Sequence, residues 1–182
     1  MPMPPATTMY YVGLRDSPPF DNALIRKAVY RTVYRSGAVS AGQNTLSGNV
    51  SQVLGIVDPN KTNPLVAPAG DAAEAMQLLA MAGYADGFDV DLLVTSADAW
   101  LASEIKESLS AIGVNVTVEV AQTQQGPIPT PTIGYVAKRN AGLFELIIVS
   151  TTVTWSNTPE LLGRLFLSTS TENYMGFSNS DF

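Results

Sequence analysis

The sequence has no cysteine and no histidine among its 182 residues. Without a thiol or an imidazole, the chain cannot form a Ser-His-Asp triad, a cysteine nucleophile or a zinc site of the usual kind. The lack of cysteine is compatible with an oxidising compartment but does not require one. The sequence also contains no glycine-rich dinucleotide motif, phosphate-binding loop or nucleophile elbow. We therefore predict no catalytic residue, no metal and no cofactor.

Charge is scarce as well, since only 14% of the residues are charged and the formal net charge is −6. This balance argues against a nucleic-acid partner, which needs clustered Lys and Arg. The sequence has no run of the roughly 18 apolar residues that a membrane-spanning helix requires. Hydrophobic residues nevertheless make up 46% of the chain, enough for the core of one domain. We interpret residues 1–8 as a leader or a cloning remnant, and residues 9–182 as a single lobe.

Helices and strands alternate in the second half of the chain. Helical patterns cover 71–83 and 98–113, and each precedes a strand with alternating apolar residues, at 88–94 and 114–120. This order predicts a βαβ unit and an α/β sheet. The stretch "FELIIVST" that begins at Phe144 does not alternate, which favours a strand buried on both faces.

Other segments give weaker predictions. Residues 9–15 resemble a short strand, and residues 37–70 form a long irregular segment without sustained periodicity. A helix should begin after Asp21 as its N-cap and run to about Ser36, and Asp98 should cap the helix that follows it. Further predictions are a short helix within "IGYVAKRNAG", a last helix at about 159–167, and helix stops at Gly83, Gly113 and Gly142.

One side of the first predicted helix is basic. It carries Arg26, Lys27, Arg31 and Arg35. Two interpretations stay open at this point: a solvated helix face, or a site for an anion or a partner.

Five segments, taken in order, resemble one protein family. They are "YYVGLRDSPPFDNALIRKAVYRTVYR", "AMQLLAMAGYADGFDVDLLV", "LSAIGVNVTVEV", "AGLFELIIV" and "NYMGFSNSDF". Together they resemble the second, C-terminal lobe of the extracytoplasmic solute-binding proteins of the oligopeptide, dipeptide and nickel class (family 5), which feed ABC importers. The pattern "AGY-x-DGF" and the closing "NY-x-G-aromatic-SN" carry most of the likeness.

The resemblance implies a fold and a role. The fold would be α/β, one lobe of a two-lobed periplasmic-binding-protein-like structure with a mixed sheet flanked by helices. A first lobe would precede this segment, a further helix and strand would follow it, and the solute would bind between the lobes. The implied partners are a peptide or small-molecule ligand, the first lobe of the same protein and an ABC permease. The implied location is periplasmic or at the cell surface, with the intact protein anchored to the membrane.

The candidate site lies after "FELIIV". The family usually places a tryptophan just past this strand, followed by an aspartate that holds the α-amino group of a peptide. Here the residues read "TWSNTPE", and no acidic residue lies between Glu145 and Pro159. Neutral side chains would suit an uncharged polar ligand, a peptide held by its backbone, or a sugar stacked on the indole. The predicted ligand-binding residues are Trp155, Asn157, Thr154, Ser156 and Thr152.

Each aromatic or acidic candidate also has a structural interpretation. Trp155 could instead close the core beneath its loop, and Trp100 is expected to pack. Tyr174 and Phe177 are expected to hold the C-terminal segment against the sheet. The acidic residues of the two alternating strands could form a paired carboxylate site, but a solvated sheet face explains them more simply. They are Asp89, Asp91 and Glu119.

Three functions fit these patterns. The first is solute capture for an ABC importer by closure of two lobes around a peptide or another polar solute, which needs no chemistry. The second is the ligand-sensing lobe of a transcriptional regulator. The third is a hydrolase that uses two carboxylates across a cleft. The first accounts for the resemblance and for the missing nucleophiles.

Overall fold

The computed structural model describes residues 7–33, 71–122, 134–153 and 158–178. Its strands and helices follow one another in the order β1 (Thr7–Leu14), α1 (Ala23–Thr32), α2 (Ala72–Met81), β2 (Phe88–Thr95), α3 (Ala99–Ser110), β3 (Val114–Ala121), α4 (Tyr135–Ala141), β4 (Leu146–Val153) and α5 (Thr158–Phe166).

The strands form one mixed four-stranded sheet in the order β1-β4-β2-β3. β2 runs parallel to β3 and to β4, whereas β1 runs antiparallel to β4. The predicted α/β fold with a mixed sheet and flanking helices is confirmed. β1 begins at Thr7, two residues earlier than predicted, so the N-terminal boundary placed after residue 8 falls inside a strand.

The larger core lies on one face of the sheet. It joins the alternate apolar residues of β2, namely Val90, Leu92 and Val94, to buried side chains of α1, α2 and α3. The other face carries a smaller cluster, in which Leu93 and Ile147 are buried with Tyr135 of α4. β4 contributes to both clusters, which confirms the prediction of a strand covered on both faces.

The valines of β3 share a face as predicted, but their burial decreases along the strand. Val114 is fully buried and Val116 almost so, whereas Val120 is 50% exposed. β3 is an edge strand of the sheet, and its last valine lies outside the larger core, although its partner Val94 in β2 is buried there.

Several helix ends differ from the predictions. The N-cap of α1 is Asn22 and not Asp21, because the Asn22 side chain accepts the hydrogen bond from the Leu24 amide at 2.9 Å. The same helix ends at Thr32, earlier than expected. Gly83, with φ of +87°, does end α2, since its amide bonds to the Ala80 carbonyl and the next amide to the Leu79 carbonyl. The predicted stop at Gly142 is also confirmed, because that residue adopts a left-handed conformation after α4.

The basic side of α1 connects it to α2. Lys27 and Arg31 lie 3.4 Å and 3.1 Å from the carboxylate of Glu74. Arg26 donates to the carbonyls of Phe20 and Asp21 instead. These contacts favour a structural role for the described part of this face, and Arg35 lies outside the described residues.

The irregular segment 37–70 lies outside the described residues. Within the described ranges, none of the helices has the length and hydrophobicity needed to cross a membrane.

The "ADGF" turn before β2 brings two backbones into close contact. Gly87 has φ of +77°, and a Cβ atom placed on it would lie 1.9 Å from the carbonyl oxygen of Gly113. Both glycines immediately precede parallel strands, β2 and β3. A side chain at position 87 would therefore meet backbone at the amino edge of the sheet, where the neighbouring atoms cannot move independently.

We expect Gly87→Ala to lower the free energy of unfolding by more than about 2 kcal/mol, because it combines positive φ with a backbone clash. Gly83→Ala is the matched control, since its φ is also positive but nothing lies within 4 Å of the added Cβ. That variant should lose only about 1 kcal/mol. Urea denaturation measures both, and equal losses would show that the close approach has no energetic role.

Candidate functional site

The carboxyl ends of β2 and β4 lie where the connections of the sheet diverge, and we refer to this switch point of the sheet as the crevice. Among the described residues these strands pair only at Leu92 with Leu146 and at Leu93 with Ile147. Beyond that point β2 continues beside β3, and β4 continues beside β1. The helix that follows β2 packs on one face of the sheet, and the helix that follows β3 packs on the other. Sheets of this kind bind ligands where the connections diverge in this way, at the carboxyl ends of the strands.

A buried carboxylate bridges the two sides of the crevice. Asp98 is only 6% exposed, and its Oδ2 accepts a hydrogen bond from the Thr95 hydroxyl at 2.8 Å and from the Ser150 hydroxyl at 3.3 Å. Thr95 ends β2 and Ser150 lies in β4. The carboxylate therefore connects the end of β2 to β4, beyond the last residues at which the two strands pair.

Asp98 does not cap α3 in the way that the sequence predicted. It occupies the N-cap position, but its side chain makes no capping hydrogen bond. The predicted N-cap position is confirmed, but the carboxylate accepts from the hydroxyls of Thr95 and Ser150 and not from an amide of α3. Only the tertiary structure brings Ser150 to this residue.

Tyr135 packs on the other face of the sheet, in the smaller cluster. Its amide bonds to the carbonyl of Gln122 at 2.9 Å, just after β3 ends. Its hydroxyl donates to the carbonyl of Ile148 at 2.6 Å. Burial raises the pKa of the Tyr135 phenol well above its ordinary value. The neutral phenol thus satisfies a carbonyl in the part of β4 that has separated from β2.

Trp100 packs as predicted. Its ring lies edge-on to Tyr10, with 5.5 Å between the ring centroids, and both rings pack against the larger core. Tyr10 pairs with Ser150 across β1 and β4. The indole therefore supports the strand that carries Ser150.

The C-terminal segment packs over the smaller cluster. Tyr174 contacts that cluster, and the guanidinium of Arg139 lies 4.2 Å from its ring centroid. Met175 is buried beneath Gly13 of β1. Phe177 packs edge-on against Phe166 of α5. The expected packing role is confirmed for Tyr174.

The three acidic residues on the strands have polar neighbours. Asp89 accepts a hydrogen bond from Asn115 at 3.0 Å, and Glu119 forms an ion pair with Lys138. Asp91 is exposed. In the ranges that the structure describes, no three His, Cys, Asp or Glu side chains are grouped closely enough to hold a metal ion. These contacts favour the solvated sheet face.

Most of the predicted ligand-binding residues lie outside the described ranges. They are Thr154, Trp155, Ser156 and Asn157. Thr152 lies in β4 opposite Thr8 of β1. It follows Ile147, the last residue of β4 that pairs with β2. The assignment of these five residues to a ligand site remains a prediction. Sequence reasoning did not find the bridge of Thr95, Asp98 and Ser150, although a Thr and an Asp three apart directly after a strand are a recognisable turn signal.

The comparison with protein families decides the identity of the fold. The model of the family "bacterial extracellular solute-binding proteins, family 5 Middle" matches residues 3–173 of this chain. The chain belongs to this family. A comparison with curated protein sequences gives no match.

Solved structures similar to this family 5 chain include three peptide-binding proteins. The periplasmic binding protein DppA from Helicobacter pylori, in complex with the peptide STSA, has a TM-score of 0.74 at 18% identity, covering 98% of this chain and 36% of that one. OppA from Haemophilus influenzae, in complex with RPPGFSPFR, has a TM-score of 0.68 at 20% identity, covering 96% and 35%. A peptide-binding protein of a peptide ABC transporter has a TM-score of 0.70 at 22% identity, covering 97% and 81%. These likenesses establish the fold, and the chain spans little more than a third of the length of DppA and OppA.

We expect Tyr135→Phe to lower the free energy of unfolding by about 1–2 kcal/mol, because the Ile148 carbonyl loses its donor in a buried place. Tyr84→Phe is the control, since the Tyr84 ring packs against Phe88 and the donor to the Ile148 carbonyl is Tyr135. Thermal or urea unfolding measures both variants. A loss for Tyr135→Phe no greater than that of the control would contradict the role of the hydroxyl.

Tyr11 gives a pH prediction. Burial, and then the neighbouring Tyr174 phenol, raise the pKa of Tyr11 from 10.0 to about 12. The folded state therefore holds this proton more tightly than the unfolded state, so the stabilisation is complete below pH 10 and is lost as the pH rises towards 12. Urea unfolding at pH 9 and pH 11.5 should show a smaller loss for Tyr11→Phe than for the parent protein. Equal losses would show that this phenol does not contribute to alkaline unfolding.

Proposed function

We propose that this lobe forms half of an extracytoplasmic receptor that captures a peptide or another polar solute for an ABC importer. The crevice at the carboxyl ends of β2 and β4, in a chain that belongs to family 5, carries the proposal. It is located where sheets of this kind bind ligands. Capture requires binding and release only, which suits a sequence without cysteine or histidine.

A single lobe offers one wall of a ligand site. The chain covers 36% of DppA and 35% of OppA, so the proposed receptor includes a first lobe that faces this crevice. A solute that contacts both lobes would stabilise the closed arrangement by its preference for that state. The closed receptor would then deliver the solute to a permease at the membrane, from the periplasm or the cell surface.

Peptides are the favoured class of solute. DppA and OppA, whose folds this chain shares, are each described in complex with a peptide. We place Thr152, Thr154, Trp155, Ser156 and Asn157 at the border of the crevice, because β4 leads into this segment. Hydroxyl and amide groups there can bond to a peptide backbone, and an indole can cover apolar surface.

We expect Trp155→Ala to weaken solute binding by about tenfold or more, as truncation of a buried aromatic anchor does. The measurement is calorimetry of the full-length, two-lobe protein against tetrapeptide and oligosaccharide libraries. Met81→Ala serves as the control, because Met81 is 73% exposed at the end of α2, near the amino edge of the sheet.

The outcomes separate the parts of the proposal. Binding of peptides but not of sugars supports the peptide class, and the reverse result corrects it. Equal affinities of the parent protein and Trp155→Ala would remove Trp155 from the site. Failure of the parent protein to bind either library would contradict solute capture for these classes.

A further inference from the structure

We propose that Glu145 and Asp98 are positioning residues that hold two halves of the sheet against each other. The halves are the strand pair β1–β4 and the strand pair β2–β3. Without the hydrogen bonds of these two carboxylates, the halves would shift relative to each other within the folded protein. The inference concerns the mechanics of the sheet and does not depend on the proposed function.

The pairing of the strands divides the sheet into these halves. β1 pairs with β4 along all 8 of its residues, and β2 pairs with β3 along all 8 of its residues. Among the residues that the structure describes, β2 and β4 pair only at Leu92 with Leu146 and at Leu93 with Ile147. We call these two paired positions the seam. The seam is the shortest ladder of the sheet, so backbone pairing fixes the position of its strands least firmly there.

Glu145 extends the seam at its amino end. Its Oε2 accepts a hydrogen bond from the Asp91 amide of β2 at 2.8 Å. The carbonyl of the same residue accepts from the Arg15 amide, directly after β1, at 3.0 Å. Glu145 therefore ties the start of β4 to both neighbouring strands, to one through its side chain and to the other through its backbone.

Asp98 extends the seam at its carboxyl end. Its Oδ2 accepts from the Thr95 hydroxyl of β2 at 2.8 Å and from the Ser150 hydroxyl of β4 at 3.3 Å. The seam thus lies between two carboxylate links, one at each end. Both links join the same two strands that backbone pairing joins only briefly.

Apolar packing holds the strands of the seam together but constrains their relative position less. All residues of the seam are buried, Leu92 and Leu146 in the larger core and Leu93 and Ile147 in the smaller one. Burial of apolar surface opposes separation, but it is non-directional. Hydrogen bonds depend steeply on distance and angle, so the two carboxylates supply the constraint against a shift. Because β4 forms one side of the crevice, this constraint also sets the position of that side.

The test is hydrogen–deuterium exchange of the full-length protein, with mass spectrometry that resolves single amides. Glu145→Ala removes the acceptor of the Asp91 amide. It should accelerate exchange of that amide and of the seam amides by about tenfold or more, as the loss of a hydrogen bond to a charged group does. The amides of β3 should keep the rates of the parent protein, because the ladder between β2 and β3 stays intact.

Three further variants separate the hydrogen bonds from other effects. Glu145→Gln keeps an acceptor oxygen at the same place and should restore most of the protection. Ser150→Ala removes a donor to Asp98 at an exposed position, so the fold is retained, and it should accelerate exchange of the seam amides at least several-fold. Glu107→Ala is the matched control, because it removes an exposed carboxylate from α3.

Faster exchange that is confined to the seam and the Asp91 amide, with rescue by Glu145→Gln, supports the positioning role. Equal acceleration in all four strands would indicate a general loss of stability and overturn it. Unchanged seam rates in Glu145→Ala and Ser150→Ala would overturn it as well, and so would a Glu145→Gln variant that exchanges as fast as Glu145→Ala. No solute takes part in these measurements, so a negative result leaves the proposed function intact.

Discussion

The structure depends on one strand, β4, that is buried on both faces. Successive side chains of a strand point in opposite directions, so Leu146 and Ile148 enter the larger core while Ile147 and Val149 enter the smaller one. The helices on the two faces are held to the same sheet through this strand. Because β4 also separates from β2 after two paired residues, the strand that joins the two cores also forms one side of the crevice.

Separation of two strands leaves polar groups without ladder partners, and their replacement partners give the crevice its chemistry. Tyr135 donates to the carbonyl of Ile148, and Asp98 joins the hydroxyls of Thr95 and Ser150. Buried polar groups are costly when they are not bonded, so these side chains stabilise the open edge. The same requirement explains how the buried Asp98 carboxylate can be kept at the carboxyl edge of the sheet.

The two edges of the sheet are built differently. At the amino edge, Gly87 approaches Gly113 so closely that only a residue without a side chain fits, and the turns before β2 and β3 are packed against each other. At the carboxyl edge, side chains and not backbone pairing connect β2 to β4. In this family 5 chain, the "DGF" turn serves the fold, and the proposed recognition of a solute belongs to the opposite edge.

The sequence alone determined the elements whose signals are local. Alternating apolar residues specified β2 and β3, an unbroken apolar run specified the doubly buried β4, and Gly83 and Gly142 marked helix ends. These signals are local, because periodicity and backbone conformation depend on near neighbours in the chain. The tertiary structure decided which partner a polar side chain bonds to when the local sequence offers more than one possibility. Asn22 and not Asp21 caps α1, and Asp98 bonds to Ser150 instead of capping its own helix. Ser150 lies 52 positions away from Asp98 in the sequence, so only the packing of the sheet brings the two together.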